Sequence, residues 1–364
     1  MAEERTPLDA EIRARIAAAG PMPVAEFMAL CLYDSNHGYY NKRLPFGAAG
    51  DFVTAPEISQ MFGELVGVWA AEAWAAMGHP DPVAVIECGP GRGTMMKDVL
   101  RATRAAPEFR KAVHAHLIET SPGLRSRQRE TLSGVNDVPL HWHDDLDEVP
   151  ATPSIVVANE FFDALPVRQA EHRPTGWHER VVAVDTGDAL TFTVAPEPLP
   201  DPGLPQALAA APVGEVFEWR SLDAATAIAQ RAAAGGTALI IDYGHMKSAT
   251  GDTFQAVRSH RYANPLASPG LADLTAHVDF EALGQAARDA GARVHGPVEQ
   301  GLWLKRMGIE ARAAVLARAN KSKSVNIAED LLRLIGTGPD QMGALFKVIA
   351  FSAPEIMQLP GFEP

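Results

Sequence analysis

The stretch Val83-Ala84-Val85-Ile86-Glu87-Cys88-Gly89-Pro90-Gly91-Arg92-Gly93-Thr94 constrains the fold of this chain more than any other. Its first half is an unbroken apolar run, the pattern of a strand buried on both faces. Glu87 interrupts that run, Gly-x-Gly-x-Gly follows, and Met95, Val99 and Leu100 then fall at helical spacing. Strand, glycine turn and helix open a nucleotide-binding βαβ unit. The glycines permit a sharp turn and a close backbone approach to a ligand. The helix N-terminus adds unpaired N–H groups at the positive end of its dipole.

The spacing within the turn separates two classes of ligand. A dinucleotide site reads G-x-G-x-x-G and seats a pyrophosphate on the helix end. Here the third glycine comes one residue early, and Glu87 stands just before the first. A carboxylate there repels pyrophosphate but suits a cationic cofactor that carries an amino acid, and S-adenosyl-L-methionine is that cofactor. A glycine turn with no ligand is the alternative for the motif taken alone.

At 364 residues the chain is long enough for a large core and about two domains. Its net charge of −13 argues against general nucleic-acid binding, which needs a basic surface. The two cysteines, Cys31 and Cys88, lack metal-ligand spacing, and Cys88 reads as a small packing residue. No apolar run reaches the roughly 18 residues of a membrane span. The opening Met1-Ala2-Glu3-Glu4-Arg5 has neither a signal nor a transit pattern, and the expectation is a cytoplasmic, bacterial protein.

Taken in order, residues 8–19 and 23–33 read as amphipathic helices, followed by a turn-rich segment at 34–40. The glycine-rich loop 45–57 is either a connector or a functional loop, and a helix with a broad apolar face begins near Pro56. Strands are expected at 83–88, 112–118, 138–143 and 154–158, with helices at 94–105 and 122–133 between them. This alternation predicts a doubly wound, mostly parallel α/β sheet. The rhythm breaks at about 167–220, read as an inserted, mostly β subdomain with a hairpin at 180–194. It resumes with a helix at 221–234, a strand at 237–244, a long loop at 245–270, a helix at 280–290 and a strand at 292–297. Two helices at 309–335, a last strand at 345–351 and a surface tail complete the chain. The expected division is 1–79, 80–166, 167–220, 221–354 with a helical insertion near 305–337, and 355–364.

Ligands of such sheets bind at the carboxyl ends of the strands. The first strand supplies Glu87, Gly89, Gly91 and Gly93. The second ends in Glu119, 26 residues past Gly93 and placed to hydrogen-bond ribose hydroxyls. The third ends in Asp144-Asp145-Leu146, where Asp145 can accept from an adenine amino group and Leu146 can pack on the ring. Each carboxylate alone also reads as a solvated loop charge. The fourth ends in Asn159-Glu160-Phe161-Phe162-Asp163. Glu160 and Asp163 can grip a guanidinium and accept its proton, while Asn159 as a helix N-cap is compatible with either reading. Asp242 and Tyr243 follow the fifth strand, and His277 is either a base or substrate contact or a capping residue.

Together these blocks resemble the MidA-like S-adenosyl-L-methionine-dependent methyltransferases. The resemblance rests on Gly50-Asp51-Phe52-Val53-Thr54-Ala55-Pro56-Glu57-Ile58-Ser59, on residues 87–94, on Glu119-Thr120-Ser121, and on Asn159-Glu160-Phe161-Phe162-Asp163-Ala164-Leu165-Pro166. Ile241-Asp242-Tyr243-Gly244 and the segment 273–280 continue it, over nearly the whole chain. It implies a Rossmann-like class I methyltransferase fold of seven strands, the last antiparallel, with an N-terminal helical segment and an inserted smaller α+β subdomain. It implies that the 45–57 loop, with Gly50, Asp51, Phe52, Thr54 and Pro56, closes over the cofactor, and it adds Thr120, Ser121 and Asn159 to the cofactor residues. The mitochondrial members of this family are assembly factors of respiratory complex I and protein-arginine methyltransferases. The implied partner is therefore a protein, a complex I core subunit among the candidates, with no nucleic acid and no membrane span. The hairpin at 167–200 is a candidate surface for a homodimer or for partner docking. A cofactor-binding assembly chaperone without catalysis and an NAD-linked oxidoreductase on the same fold are the rival readings.

Overall fold

The structure is a computed structural model, and it describes residues 5–42, 54–200, 203–205 and 208–363. The chain folds as two compact units, each assembled from three separate segments.

The larger unit spans Val53–Phe162, Leu222–Met246 and Phe280–Pro364. Seven strands of its main sheet lie in this unit: β1 (Val83–Cys88), β2 (Val113–Ile118), β3 (Leu140–His143), β4 (Ser154–Asn159), β5 (Thr237–His245), β6 (Arg293–Glu299) and β7 (Phe346–Ser352). In space they run β3-β2-β1-β4-β5-β7-β6. The first five are mutually parallel. β7 lies antiparallel between β5 and β6. β1, β4 and β7 are buried at every position, which is why they read as continuous apolar runs. The strand order reverses between β1 and β4, and the carboxyl ends of strands at such a switch point are where sheets of this kind bind ligands.

The helix Gln60–Ala76 covers one face, with Phe62, Val66 and Trp69 fully buried. It lies very close to the helix Thr94–Ala102. A Cβ at Gly63 would stand 2.7 Å from Asp98 Cβ, and one at Gly67 would stand 2.8 Å from the Val99 carbonyl. The expected helix at 94–105 is this element continued by a short 3-10 turn, Thr103–Ala105. The expected surface tail is instead part of the core: Ile356 and Leu359 are buried, and Gly361 packs against Trp303.

The smaller unit spans Met1–Phe52, Asp163–Ser221 and Lys247–Asp279. The helices Pro7–Ala19 and Val24–Tyr33 pack their apolar faces with Val167, Val182 and Phe254. The expected hairpin is present as Gly176–Val184 paired with Leu190–Pro198. Val167–Arg173 and Val216–Arg220 extend that antiparallel sheet, and Met22–Pro23 pairs with Val182 and Val181 of the hairpin. Residues 245–270, expected as loop, contain the strands Gln255–Arg258 and Arg261–Ala263, and a third, Asp273–Thr275, pairs with the first.

Candidate active site

At the end of β1 the glycine turn takes the form its composition demands. Gly89, Gly91 and Gly93 all hold positive φ, at 65°, 52° and 79°. Gly93 is the residue that caps the helix Thr94–Ala102. A Cβ on Gly89 would meet the Phe161 ring at 3.0 Å, so the turn and the β4 segment sit against each other. Cys88 is buried and its thiol is pushed up to about 12 by that burial, which fits a packing role.

Glu87 is buried, and burial raises its carboxyl to about 8. Its Oε2 finds no hydrogen-bond partner among the described residues. Asn159 Oδ1 is a second buried oxygen with no partner among them. Two orphaned acceptors at the ends of adjacent strands are an incomplete arrangement for the protein alone. A ligand bearing an ammonium group completes it. The two unpaired oxygens suit the ammonium of S-adenosyl-L-methionine, so the residues present fit that cofactor.

Glu119, just beyond β2, is held from two sides. Its Oε1 accepts from the Ser121 amide at 2.8 Å and its Oε2 from Gln128 Nε2 at 3.2 Å. Burial raises its pKa, opposed by these hydrogen bonds. Ser121 caps the helix Pro122–Thr131 through its side chain, and Thr120 links the two residues.

Gln128, on that helix, is the residue the sequence did not single out. It is fully buried; its Nε2 also donates to the Gly91 carbonyl at 2.8 Å, and its Oε1 accepts from Trp142 Nε1 at 2.9 Å. One amide therefore ties the glycine turn, Glu119 and β3 together.

Asp145 is exposed and caps its own short turn, accepting from the Asp147 amide at 3.0 Å. Leu146 is buried. Arg231 donates to the carbonyls of Leu146 and Val149, which fixes the path of this loop.

No helix follows Asn159, so it is not an N-cap: the segment after β4 is a turn. Glu160 takes a positive φ of 48° and donates its amide to the Ile241 carbonyl at 2.9 Å. Its Oε1 accepts from the Ala55 amide at 3.0 Å and from Asn159 Nδ2 at 3.2 Å. Glu160 thus anchors the short helix Ala55–Ile58, at whose start Thr54 stands and in which Pro56 is buried. Glu57 in the same helix accepts from the Thr94 hydroxyl and pairs with Arg92 at 3.5 Å. Gly50, Asp51 and Phe52 lie outside the described residues. Asp242 is buried and accepts from the Phe162 amide at 2.9 Å, holding the same turn.

Asp163 and His277 belong to the smaller unit. The Asp163 carbonyl accepts from the Ala276 amide at 3.1 Å. The His277 amide donates to Thr253 Oγ1 at 2.9 Å, and its carbonyl accepts from Arg220. Tyr40 in this unit donates to Asp273 at 3.1 Å.

Comparison with known proteins agrees with this geometry. Residues 65–298 match a family of S-adenosyl-L-methionine-dependent methyltransferases. A crystal structure from Burkholderia thailandensis, bound to S-adenosyl-homocysteine, is similar with a TM-score of 0.83 and 32% identity, over 98% of this chain and 92% of that one. A mitochondrial protein of Drosophila melanogaster named as an NDUFAF7 homolog, protein arginine methyltransferase, is 38% identical over 93% of this chain and 83% of its own length. The human protein of that name is 35% identical over 97% and 85%. These relatives are named mitochondrial, which overturns the expectation of a cytoplasmic protein and gives none to a bacterial source. The NAD-linked reading falls with the same matches. The chain belongs to the S-adenosyl-L-methionine-dependent methyltransferase family, with S-adenosyl-L-methionine as its cofactor.

Proposed function

We propose that this enzyme methylates an arginine of a protein acceptor. The observation that carries the reading is its 35–38% identity, over most of its length, to relatives named protein arginine methyltransferases. The acceptor protein proposed is a core subunit of respiratory complex I, and a homodimer formed through the 167–200 region is part of the same proposal.

When bound, S-adenosyl-L-methionine supplies a methyl group on a sulfonium. The chain's residues bind and orient. Glu87 receives the ammonium, the turn at Gly89, Gly91 and Gly93 accommodates the methionine part, and Glu119, with Thr120 and Ser121 behind it, takes the ribose hydroxyls. Asp145 and Leu146 take the adenine, Asn159 contributes its unpaired Oδ1, and Thr54 and Pro56 cover the site. Glu160 orients the acceptor guanidinium; Asp163 and His277, in the smaller unit, are each separate candidates for that role. A carboxylate paired with a guanidinium fixes which nitrogen faces the methyl group and accepts the proton that nitrogen releases.

The test is mass spectrometry of a recombinant complex I core subunit after incubation with enzyme and cofactor. A methyl group on arginine, lost with Glu160→Gln while cofactor affinity stays within about twofold, is the expected result. Glutamine keeps an oxygen for the Ala55 amide and removes the charge. Methylation only at lysine, or turnover undiminished in the variant, would sink the assignment.

A further inference from the structure

In a chain of net charge −13, six cations gather in one short region: Arg92, Lys97, Arg101, Arg104, Arg110 and Arg127. Lys97, Arg101 and Arg104 are spaced i, i+4, i+7 along the helix Thr94–Ala102 and the turn that continues it, so they share one face. All six line a cleft of about 580 Å³ within the larger unit, facing the helix Pro122–Thr131. None of the residues assigned to the cofactor lines it.

Carboxylates of the chain meet four of the six. Arg92 pairs with Glu57, Arg101 with Asp98 at 2.8 Å and Glu64 at 3.1 Å, Arg110 with Asp137, and Arg127 with Glu130. Arg110 is also bonded to Thr103 and forms part of the frame. Lys97 and Arg104 are exposed and have no ion pair among the described residues. The cleft therefore keeps two cations outside any ion pair among the described residues at the ends of its helical stripe, with Asp98 and Asp137 acting on them only at longer range, on a chain of net charge −13.

We propose that this cleft docks a short acidic segment of a partner polypeptide, whose carboxylates meet Lys97 and Arg104. The stripe from Lys97 to Arg104 covers about 10 Å of helix. Alternate side chains of an extended peptide repeat every ~6.7 Å on one face, so two or three acidic residues match the stripe. A long polyanion would run out over the surrounding negative surface and be repelled there. A single phosphate is too small to reach both ends. This site is independent of the arginine-acceptor reading, since it concerns docking and not the methylated residue.

The experiment uses the full chain and fluorescence anisotropy of a short labelled peptide of alternating aspartate and glycine. Binding is expected at low ionic strength and is weakened by salt. The double variant Lys97→Gln/Arg104→Gln should bind about tenfold more weakly. Its calorimetric affinity for S-adenosyl-L-methionine should be unchanged, which shows the fold is intact. Should the double variant lose cofactor binding too, Arg104→Gln alone carries the same test. Three outcomes overturn the proposal: equal binding of the asparagine–glycine peptide, undiminished binding by the variant, or tighter binding of inorganic tripolyphosphate than of the peptide. The last would assign the cleft to a phosphate ligand.

Discussion

Two neighbouring strand ends handle a carboxylate in opposite ways. Beyond β2, Glu119 is partly buried, and both of its oxygens are held by donors, the Ser121 amide and the Gln128 side chain. Beyond β3, Asp145 is exposed and spends its oxygen on its own turn. A buried, pre-positioned acceptor adds much to affinity, because it needs no reorganisation and meets little competition from water. An exposed acceptor adds little. On the proposed assignment, the ribose end of the cofactor should therefore depend on single residues, and the adenine end on shape, through the buried Leu146 and the loop that Arg231 fixes.

The strongest way to break this contrast is Glu119→Ala. Loss of a charged, partly buried and pre-positioned acceptor should weaken S-adenosyl-L-methionine on the order of 100-fold, read by calorimetry. A loss no larger than that from the Asp145 substitution would erase the distinction.

Glu87 sharpens it through pH. Folded and unliganded, its carboxyl lies at about 8 because it is buried, against an ordinary value of 4.5. Between those values the folded form holds a proton that the unfolded form has lost. Its contribution to stability is thus most favourable below 4.5 and declines as pH rises towards 8. Binding an ammonium needs the ionised form, so cofactor affinity moves the other way, rising by up to about tenfold per pH unit until 8 is passed. Calorimetry at neutral pH in buffers of different ionisation enthalpy should show a proton released on binding. Affinity that is flat with pH, with no proton released, would remove Glu87 from the ammonium.

Gln128→Leu tests the support behind Glu119. It should cost about tenfold in affinity, and much less when Glu119 is already alanine, because the two residues act as a pair. Full additivity of the two changes in a double-mutant cycle would show that Gln128 does not work through Glu119. Asp145→Ala should have the smallest effect, below about threefold, by the same titration.

The parallel core of the fold was readable from residues alone because β1, β4 and β5 are buried on both faces and consist of apolar runs bounded by turns. The elements that went unread have other reasons. Val167–Arg173 is rich in polar and charged residues and lacks a regular alternation of buried and exposed positions, and Gln255–Arg258 with Arg261–Ala263 makes short strands in a polar stretch. The residues after Ser352 look like a tail because they are rich in proline and glycine, yet Leu359 finds the core.

Among the site residues, the glycine turn and Glu119 announced themselves through type and spacing. Gln128 did not, since a glutamine among three arginines on a helix reads as a solvated face, and its partners lie 37 and 9 residues before it and 14 after. The anchoring of Ala55 by Glu160 was equally hidden, because it joins residues 105 apart.

The Gln128 amide has a consequence for changing this enzyme. Because it fastens the glycine turn, Glu119 and β3 at once, the residues proposed to hold the ribose and the methionine should not vary as separate modules. A substitution that enlarges the pocket for a bulkier cofactor analogue at Glu119 also loosens the glycine turn unless position 128 changes with it. Variant libraries aimed at analogue use should therefore randomise 119 and 128 jointly, since screens of one position at a time will pass over combinations whose members fail alone.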